Sequence, residues 1–263
     1  MIDPLHIIAL PLNIAQADKG ANLNAVEDFS AAMPADTDIV ILPELFSTGY
    51  IPDKSEAKAL AEREDGETIS RLKALSAKYQ AAYCGSFLSY TGHMLFNRAF
   101  FVEPGGEVTF YDKRHLFCLS DESKICTRGI SLPPVIRYRR WNIMMSICYD
   151  LRFPAWLRNM PDRRYDLLII PANWPAKRSY AWQHLLIARA IENMCYVVGC
   201  NRSGTDDFGE YDNLTYIYDY AGRLVSQPSK DFVSATISKE GMDRMRSHLP
   251  FLNDEDEFSV KMY

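Results

Sequence analysis

Short apolar runs alternate with longer amphipathic stretches along most of the chain. Apolar runs that predict buried strands lie at residues 5–12, 38–42, 81–89, 141–147, 166–171, 195–201 and 232–237. Apolar positions spaced near 3.6 residues predict helices at 22–32, 55–64, 68–79 and 179–193. Strands and helices alternate toward both ends of the chain, which is typical of an α/β protein.

Two turn signals interrupt this alternation. Pro104-Gly105-Gly106 separates apolar stretches at 94–103 and 107–112, and Ala221-Gly222 separates 214–220 from 224–227, so each predicts a hairpin. Buried strands combined with hairpins predict one α/β domain over residues 1–263, with two mixed sheets packed face to face and helices outside. The acidic stretch 253–257 predicts a solvated tail within about 248–263.

Charge and cysteine usage exclude several kinds of partner. The net charge of the 263 residues is −5 with no basic run, so we expect neither nucleic acid nor an anionic membrane as partner. The first residues lack a basic region before a continuous apolar run, so no signal peptide is expected, and no stretch resembles a membrane span. The six cysteines form no CxxC pair, which predicts reduced thiols in a cytoplasm and no zinc site.

Three of the apolar strands end on residues that can do chemistry. Cys148 ends the run at 141–147 just before a turn, where an α/β protein usually places a reactive group. Glu44 and Lys113 follow two other strands, and a charge near a core is costly unless it is paired. Each has a plainer alternative, because Cys148 could be an ordinary buried thiol and the two charges could be solvated.

Three separated blocks of the sequence resemble the signature blocks of the nitrilase superfamily of carbon–nitrogen hydrolases. They are ILPELFSTGY at 41–50, YDKRHLF at 111–117 and SICYDLRFP at 146–154. Later blocks at 171–175, 188–193 and 199–202 match in order, so the similarity covers nearly the whole chain, and the ω-amidases are the most similar subgroup. The resemblance implies a nitrilase-type αββα sandwich and hydrolysis of a small amide without a metal or cofactor. It also implies a homodimer, for which we expect an exposed apolar helix at 156–160.

The resemblance assigns a catalytic role to each residue of the set. Cys148 is the nucleophile that forms a thioester, and its pKa is expected to be lowered beside the Lys113 cation. Glu44 transfers protons, and Lys113 together with the backbone N–H of Tyr149 holds the oxyanion. Glu122 falls where the family often has a second glutamate that positions the amide, although it could also be an exposed loop carboxylate.

The substrate end of the pocket is predicted from fewer residues. Arg152 follows Cys148 by four positions and can bind a carboxylate in bidentate fashion, with Tyr50 as a second donor. The alternative is that Arg152 pairs with a neighbouring acid and stiffens the turn. Trp174, in one of the later blocks, is implied to contact substrate. These residues predict an ω-amide of a small dicarboxylate, such as 2-oxoglutaramate or 2-oxosuccinamate.

Several other functions stay open at this point. A papain-like hydrolase would need His115 or His184 as base, and the usual sequence context of its cysteine is absent. A non-enzymatic scaffold would need none of the three catalytic residues. Within the superfamily, an aliphatic amidase, an N-carbamoyl hydrolase or a nitrilase are alternatives. Asn213-Leu214-Thr215 replaces a His-Ser pair that is common in the family, which leaves substrate selection open.

Overall fold

Two mixed β-sheets face each other in the computed structural model of the protein, which describes residues 4–211 and 214–261. The strands are β1 (Leu5–Ala9), β2 (Ile39–Ile41), β3 (Ala82–Thr91), β4 (Met94–Val102), β5 (Val108–Asp112), β6 (Val135–Tyr138), β7 (Trp141–Met145), β8 (Leu167–Ala172), β9 (Tyr196–Asn201), β10 (Thr205–Asp206), β11 (Gly209–Glu210), β12 (Tyr216–Tyr218), β13 (Gln227–Pro228) and β14 (Val233–Ile237). The helices are α1 (Lys19–Ala32), α2 (Lys54–Leu60), α3 (Glu67–Tyr79), α4 (Glu122–Ile125), α5 (Ser179–Asn193) and α6 (Lys239–His248).

Each sheet has parallel strands at its centre and antiparallel strands toward its edges. Within the described residues, the first sheet has seven strands in the order β13-β14-β1-β2-β3-β4-β5, and β2 runs parallel to both β1 and β3. The second sheet has five strands in the order β12-β9-β8-β7-β6, and β8 runs parallel to both β7 and β9. A short ribbon of β10 and β11 lies apart from both sheets.

Strand β2 shows how the apolar runs build the layers. Ile39 and Ile41 belong to the core between the sheets, whereas Val40 packs on the other face with residues of α1 and α3. Because successive side chains of a strand point to opposite faces, a strand covered on both sides must be apolar at every position. Burying each such aliphatic side chain contributes about 1.5–3 kcal/mol.

Helix α5 covers the second sheet at close range. A Cβ atom on Gly199 of β9 would lie 2.5 Å from the Leu186 side chain and 2.6 Å from that of Trp182. Only glycine therefore allows this approach, which fixes α5 against β9, the neighbour of β8 in the second sheet.

The structure confirms the α/β sandwich of two mixed sheets and the first predicted hairpin. In that hairpin Val102 pairs with Val108 on either side of the Pro104-Gly105-Gly106 turn. The second hairpin is reduced to one bridge between Tyr218 and Leu224, and β13 joins the opposite sheet. The sequence did not predict β6 or α4.

Two predictions near the chain surface were wrong. The segment at 156–160 is not an exposed apolar helix: a 3₁₀ turn spans Pro154–Leu157, and Trp156 and Leu157 are buried. Trp156 is held inward because its indole Nε1 donates to the Tyr111 hydroxyl at 2.9 Å. The tail is not wholly solvated either, because Glu255 reaches Arg164 with an N–O distance of 2.7 Å.

Other sequence expectations concern membranes, metals and the block at 213–215. No helix in the described ranges 4–211 and 214–261 is long and apolar enough to cross a bilayer. Over the same residues, no group of three or more His, Cys, Asp or Glu side chains is arranged to hold a metal ion. Asn213 lies outside the described residues, whereas Thr215 is buried and its Oγ1 donates to the Asn201 carbonyl oxygen at 3.2 Å.

Candidate active site

A cavity of about 550 Å³ opens where strands β2, β7 and β8 end. Its lining includes all eight residues that the sequence singled out. They are Glu44, Tyr50, Lys113, Glu122, Cys148, Tyr149, Arg152 and Trp174. Residues spread over 131 positions of sequence between Glu44 and Trp174 are therefore brought to one place by the two sheets.

Lys113 lies at the centre of a buried ionic cluster. Its Nζ donates to Glu44 Oε1 at 2.7 Å and to Glu122 Oε1 at 2.8 Å. Burial alone would lower the pKa of Lys113, but the two carboxylates outweigh it and raise that pKa well above its ordinary value. The cluster therefore favours the charged ammonium form of Lys113.

Asn97 holds the two carboxylates from the other side. Its Nδ2 donates to Glu44 Oε1 at 2.8 Å and to Glu122 Oε1 at 3.1 Å, while Glu122 Oε2 accepts from the Phe117 backbone N–H. Glu122 is thus buried and fully paired, so it is not an exposed loop carboxylate. Asn97 is not among the residues that the sequence motifs predict. Its signal was an amide inside the apolar strand β4, because a buried polar side chain must find partners.

Cys148 begins a 3₁₀ turn directly after β7 and has a φ of +42°. For a residue other than glycine this conformation is disfavoured by about 1–2 kcal/mol, so the surroundings must hold it. Asp150 does so. Its Oδ2 accepts from the Ser146 hydroxyl at 2.9 Å and the Tyr111 hydroxyl at 2.8 Å, and its Oδ1 accepts from the His115 backbone N–H at 2.8 Å.

The two histidines proposed as alternative bases lie elsewhere. His115 Nδ1 lies 2.7 Å from Asp150 Oδ1 and its ring stacks on Phe153, and His184 is exposed on α5. Neither is among the described residues that line the cavity. This placement argues against a papain-like pairing with Cys148.

The pKa of the Cys148 thiol departs from expectation in direction. Burial raises the pKa well above its ordinary value, and the neighbouring Glu44 carboxylate raises it further, while Lys113 lowers it by less. The prediction of a lowered thiol pKa rested on the Lys113 cation alone. In the structure one ammonium faces two carboxylates, so the resting thiol keeps its proton and donates it in a hydrogen bond to the Glu44 carboxylate.

Cations line the outer part of the cavity, and they have no acidic partner among the residues that the structure describes. The Arg152 guanidinium carbon lies 4.9 Å from the Trp174 ring centroid, and that of Arg178 lies 5.0 Å from the Phe117 ring centroid. Across residues 4–211 and 214–261, neither arginine has a carboxylate within ion-pair distance. Arg152 therefore does not pair with Asp150. Arg178 was missed, because its position depends on the loop after β8 and not on a motif.

Two buried polar atoms of the cavity lining also lack a hydrogen-bond partner in the described part of the chain. The Tyr50 hydroxyl lies near Ser120 but forms no hydrogen bond of good geometry with any described residue, and burial raises its pKa. Oδ1 of Asn173 is buried and accepts no hydrogen bond from the described part of the chain. Trp174, by contrast, is buried and fixed, because its backbone N–H donates to Asn201 Oδ1 at 2.7 Å.

Known proteins resemble this chain over nearly its whole length. Residues 9–246 match the family model described as carbon–nitrogen hydrolase. Omega-amidase YafV of Escherichia coli (strain K12) is 39% identical over 85% of this chain and 86% of its own length. A 2-oxoglutaramate amidase of Bacillus subtilis (strain 168) is 30% identical over 94% of this chain and 96% of its own. The crystal structure of XC1258 from Xanthomonas campestris, a CN-hydrolase superfamily protein with an arsenic adduct in its active site, has a TM-score of 0.91 at 33% identity, covering 98% of this chain and 99% of that one.

Proposed function

The chain belongs to the carbon–nitrogen hydrolase family, and from that membership we propose that it is a cysteine-dependent amidohydrolase of small ω-amides. The proposed substrate is the ω-amide of a short dicarboxylate, of the 2-oxoglutaramate or 2-oxosuccinamate type, and the proposed product is ammonia. The observation that carries this proposal is the cavity itself, where the Cys148 thiol faces the Lys113–Glu44–Glu122 cluster below a cationic rim.

In the acylation step, the scissile carbonyl oxygen lies between Lys113 Nζ and the backbone N–H of Tyr149. The thiol of Cys148 gives its proton to Glu44 as sulfur attacks the carbonyl carbon, and these two donors hold the developing oxyanion. Glu44 then returns the proton to the amide nitrogen, the C–N bond breaks, and ammonia leaves a thioester on Cys148. Because burial and Glu44 raise the pKa of the thiol, the proton passes to Glu44 as part of the attack and not before it.

In the deacylation step, a water molecule takes the place that ammonia has left. Glu44 accepts a proton from this water as its oxygen attacks the thioester, and the same two donors hold the second oxyanion. The thiolate of Cys148 then leaves and recovers a proton from Glu44. Glu122 keeps Lys113 in position through both steps, since its two oxygens lie 2.8 Å and 2.9 Å from Nζ.

The cationic rim supports a substrate with a carboxylate at its far end. Arg152 lines the cavity and is free of an acidic partner among the described residues, so its guanidinium can take a carboxylate in bidentate fashion. The Tyr50 hydroxyl, which needs a hydrogen-bond partner, is the second donor, and Trp174 supports the Arg152 guanidinium by cation–π contact. A neutral aliphatic amide would leave these groups unused.

Assembly and location complete the proposal. We propose a homodimer in a cytoplasm, and exposed apolar side chains such as Tyr180 on α5 and Ile130 between α4 and β6 support burial of a surface against a second copy. Sedimentation should give a mass near twice 30.1 kDa at micromolar concentration, and a mass near 30.1 kDa would contradict the dimer.

The test of the proposed function is a thioester trap combined with a substrate panel. Wild-type protein denatured during turnover of 2-oxoglutaramate should carry the acyl group on Cys148, as detected by peptide mass spectrometry. Cys148→Ala should melt like the wild type and lose about 10⁴-fold in turnover. Activity above about 1% in Cys148→Ala would contradict the nucleophile. If a neutral amide, a nitrile or an N-carbamoyl compound releases ammonia faster than 2-oxoglutaramate does, the substrate belongs to that class instead.

A further inference from the structure

The side chain of Asn173 lines the catalytic cavity without serving the fold. Its Oδ1 is buried and accepts no hydrogen bond within residues 4–211 and 214–261. The great majority of buried polar atoms in folded proteins have a partner, so an atom that lacks one in a catalytic cavity points to a ligand.

The loop that carries Asn173 is held by another asparagine. Asn201 accepts from the Trp174 backbone N–H at 2.7 Å and donates to the Trp174 carbonyl oxygen at 2.9 Å. The backbone of Asn173 is itself used, because its N–H donates to Glu44 Oε2 at 2.9 Å. The loop conformation therefore depends on the Asn201 side chain and the Asn173 backbone, and the Asn173 side chain is left for another purpose.

Asn173 also lies beside both reacting groups. Its backbone N–H faces the Cys148 thiol as well as Glu44, and it lowers the pKa of that thiol. The unpartnered Oδ1 belongs to this same residue and lines the same cavity as Cys148 and Glu44, where the leaving nitrogen of a bound amide must lie.

The scissile group supplies the missing donor. A primary carboxamide has one carbonyl oxygen and two N–H groups, and the carbonyl oxygen is taken by Lys113 and the Tyr149 backbone N–H. The nitrogen then faces Glu44, which must protonate it. We propose that Asn173 Oδ1 accepts an N–H of the scissile amide and holds the leaving nitrogen beside Glu44. This assignment rests on the cysteine mechanism proposed above.

No proton is gained or lost by Asn173 in this step. The C–N bond breaks as the nitrogen takes the proton that Glu44 received from the Cys148 thiol, and ammonia departs with the electron pair of that bond. Asn173 Oδ1 keeps its hydrogen bond from the N–H throughout. Asn173 is thus a substrate-contacting residue that selects for primary amides, because an N-methyl group would meet Oδ1 where an N–H should be.

The test compares an amide and an ester of the same acid. Both substrates form the same thioester, and the oxyanion of each acylation step is held by the same two donors, but the ester has no N–H. Asn173→Leu keeps the size of the side chain and removes its polar atoms. It should lower kcat/KM for the amide about 10–100-fold and for the methyl ester less than about threefold. Tyr50→Phe is the matched control, since it removes the other unpartnered polar atom of the cavity and should leave the amide-to-ester ratio unchanged.

A second measurement keeps the inference testable if ester turnover is slow. Wild type should prefer the primary amide to its N-methyl derivative, and Asn173→Ala should narrow that preference about tenfold, because it makes room and removes the acceptor. Equal losses on amide and ester, or an unchanged preference in Asn173→Ala, would overturn the inference. The ratios are taken on whichever acyl group wild type turns over fastest, so an error in the proposed dicarboxylate substrate would not affect the result.

Discussion

The balance of charge around one sulfur atom decides how the residues of the site work. Lys113 is the single cation within hydrogen-bond reach of Glu44 and Glu122 among the described residues, and both carboxylates are buried. A thiolate at Cys148 would add a further negative charge to this group, so the resting thiol keeps its proton. The nucleophile is therefore a neutral thiol at rest, and it passes its proton to Glu44 during the attack.

Removing the Glu44 charge should uncouple ionisation of the thiol from catalysis. Glu44 raises the pKa of Cys148, so Glu44→Gln should lower that pKa and shift the pH profile of alkylation by iodoacetamide toward lower pH. At neutral pH alkylation should be faster than in wild type, although amide turnover falls about 10²–10⁴-fold for lack of the proton carrier.

This measurement needs a background without the exposed thiol. Cys118 is exposed and would react first, so both proteins should carry Cys118→Ser, and Cys148→Ala in that background gives the zero level. A shift of the alkylation profile toward higher pH in Glu44→Gln would contradict the assignment, because Glu44 would then be stabilising the thiolate.

The sequence predicts some of these residues and not others for a physical reason. Glu44, Lys113 and Cys148 each end an apolar strand, and a costly group at a strand end is visible in one dimension. Asn97 could have been found by the same reasoning, since it interrupts β4. Asn173 and Arg178 could not, because their roles depend on a loop whose shape is fixed by hydrogen bonds from Asn201, far along the chain.

Two structural elements must be kept in register for the site to work. Strand β5 leads to Lys113 and strand β7 leads to Cys148, and these strands belong to different sheets. The fully buried Asp150 connects them, because its carboxylate accepts from the Tyr111 hydroxyl at the end of β5 and from Ser146 after β7. Asp150 is therefore a positioning residue that sets the distance between the nucleophile and its cation.

Weakening this connection should reduce catalysis more than it reduces folding. Asp150→Asn keeps the shape of the side chain but replaces one accepting oxygen with an NH2 group. That group would face donors that now bond to the carboxylate, which should cost about 1–3 kcal/mol of stability. We expect kcat to fall about 10–100-fold, a larger effect than any rise in KM, because the placement of Cys148 against Lys113 matters most in the transition state. Asp162→Asn, at an exposed position, is the matched control and should alter neither activity nor melting temperature. Wild-type kcat in Asp150→Asn would show that the turn holds without this carboxylate.

Among the helices and strands, those that are buried along their whole length are predicted most accurately from the sequence. Helix α5 at Ser179–Asn193 was predicted with the observed bounds, and the central strands were found because they are apolar on both faces. The helix predicted at 156–160 after Cys148 was wrong. Pro154 and Pro161 bracket it, and its backbone is held by side chains such as Asn159, which donates to the Tyr165 carbonyl oxygen at 2.9 Å, so only 3₁₀ turns form.

Over the whole molecule, the net charge and the charge of the cavity rim have opposite signs. The chain carries −5, yet the rim presents Arg152, Lys177 and Arg178, and these have no carboxylate within ion-pair distance in the part of the chain that is described. Asp121, an acid of the same lining, is paired with Lys124 at 2.7 Å. A positively charged rim attracts anionic substrates even though the net charge of the protein is negative.

Ionic strength should therefore separate charged from neutral substrates. The screening length falls from ~10 Å at 0.1 M salt to ~3 Å at 1 M, so kcat/KM for an acid ω-amide should fall about 3–10-fold over that range. For a neutral amide of equal length, kcat/KM should change less than about twofold.

Replacing Arg152 should likewise affect only the charged substrate. Because Arg152 is exposed, Arg152→Met should lower kcat/KM about tenfold for the acid amide and leave that of the neutral amide unchanged. Lys177→Met is the matched control and should cost less, because Lys177 is a cation of the same rim but contacts no aromatic ring of the described residues. Equal losses on both substrates in Arg152→Met would instead assign this residue to the architecture of the turn that follows Cys148.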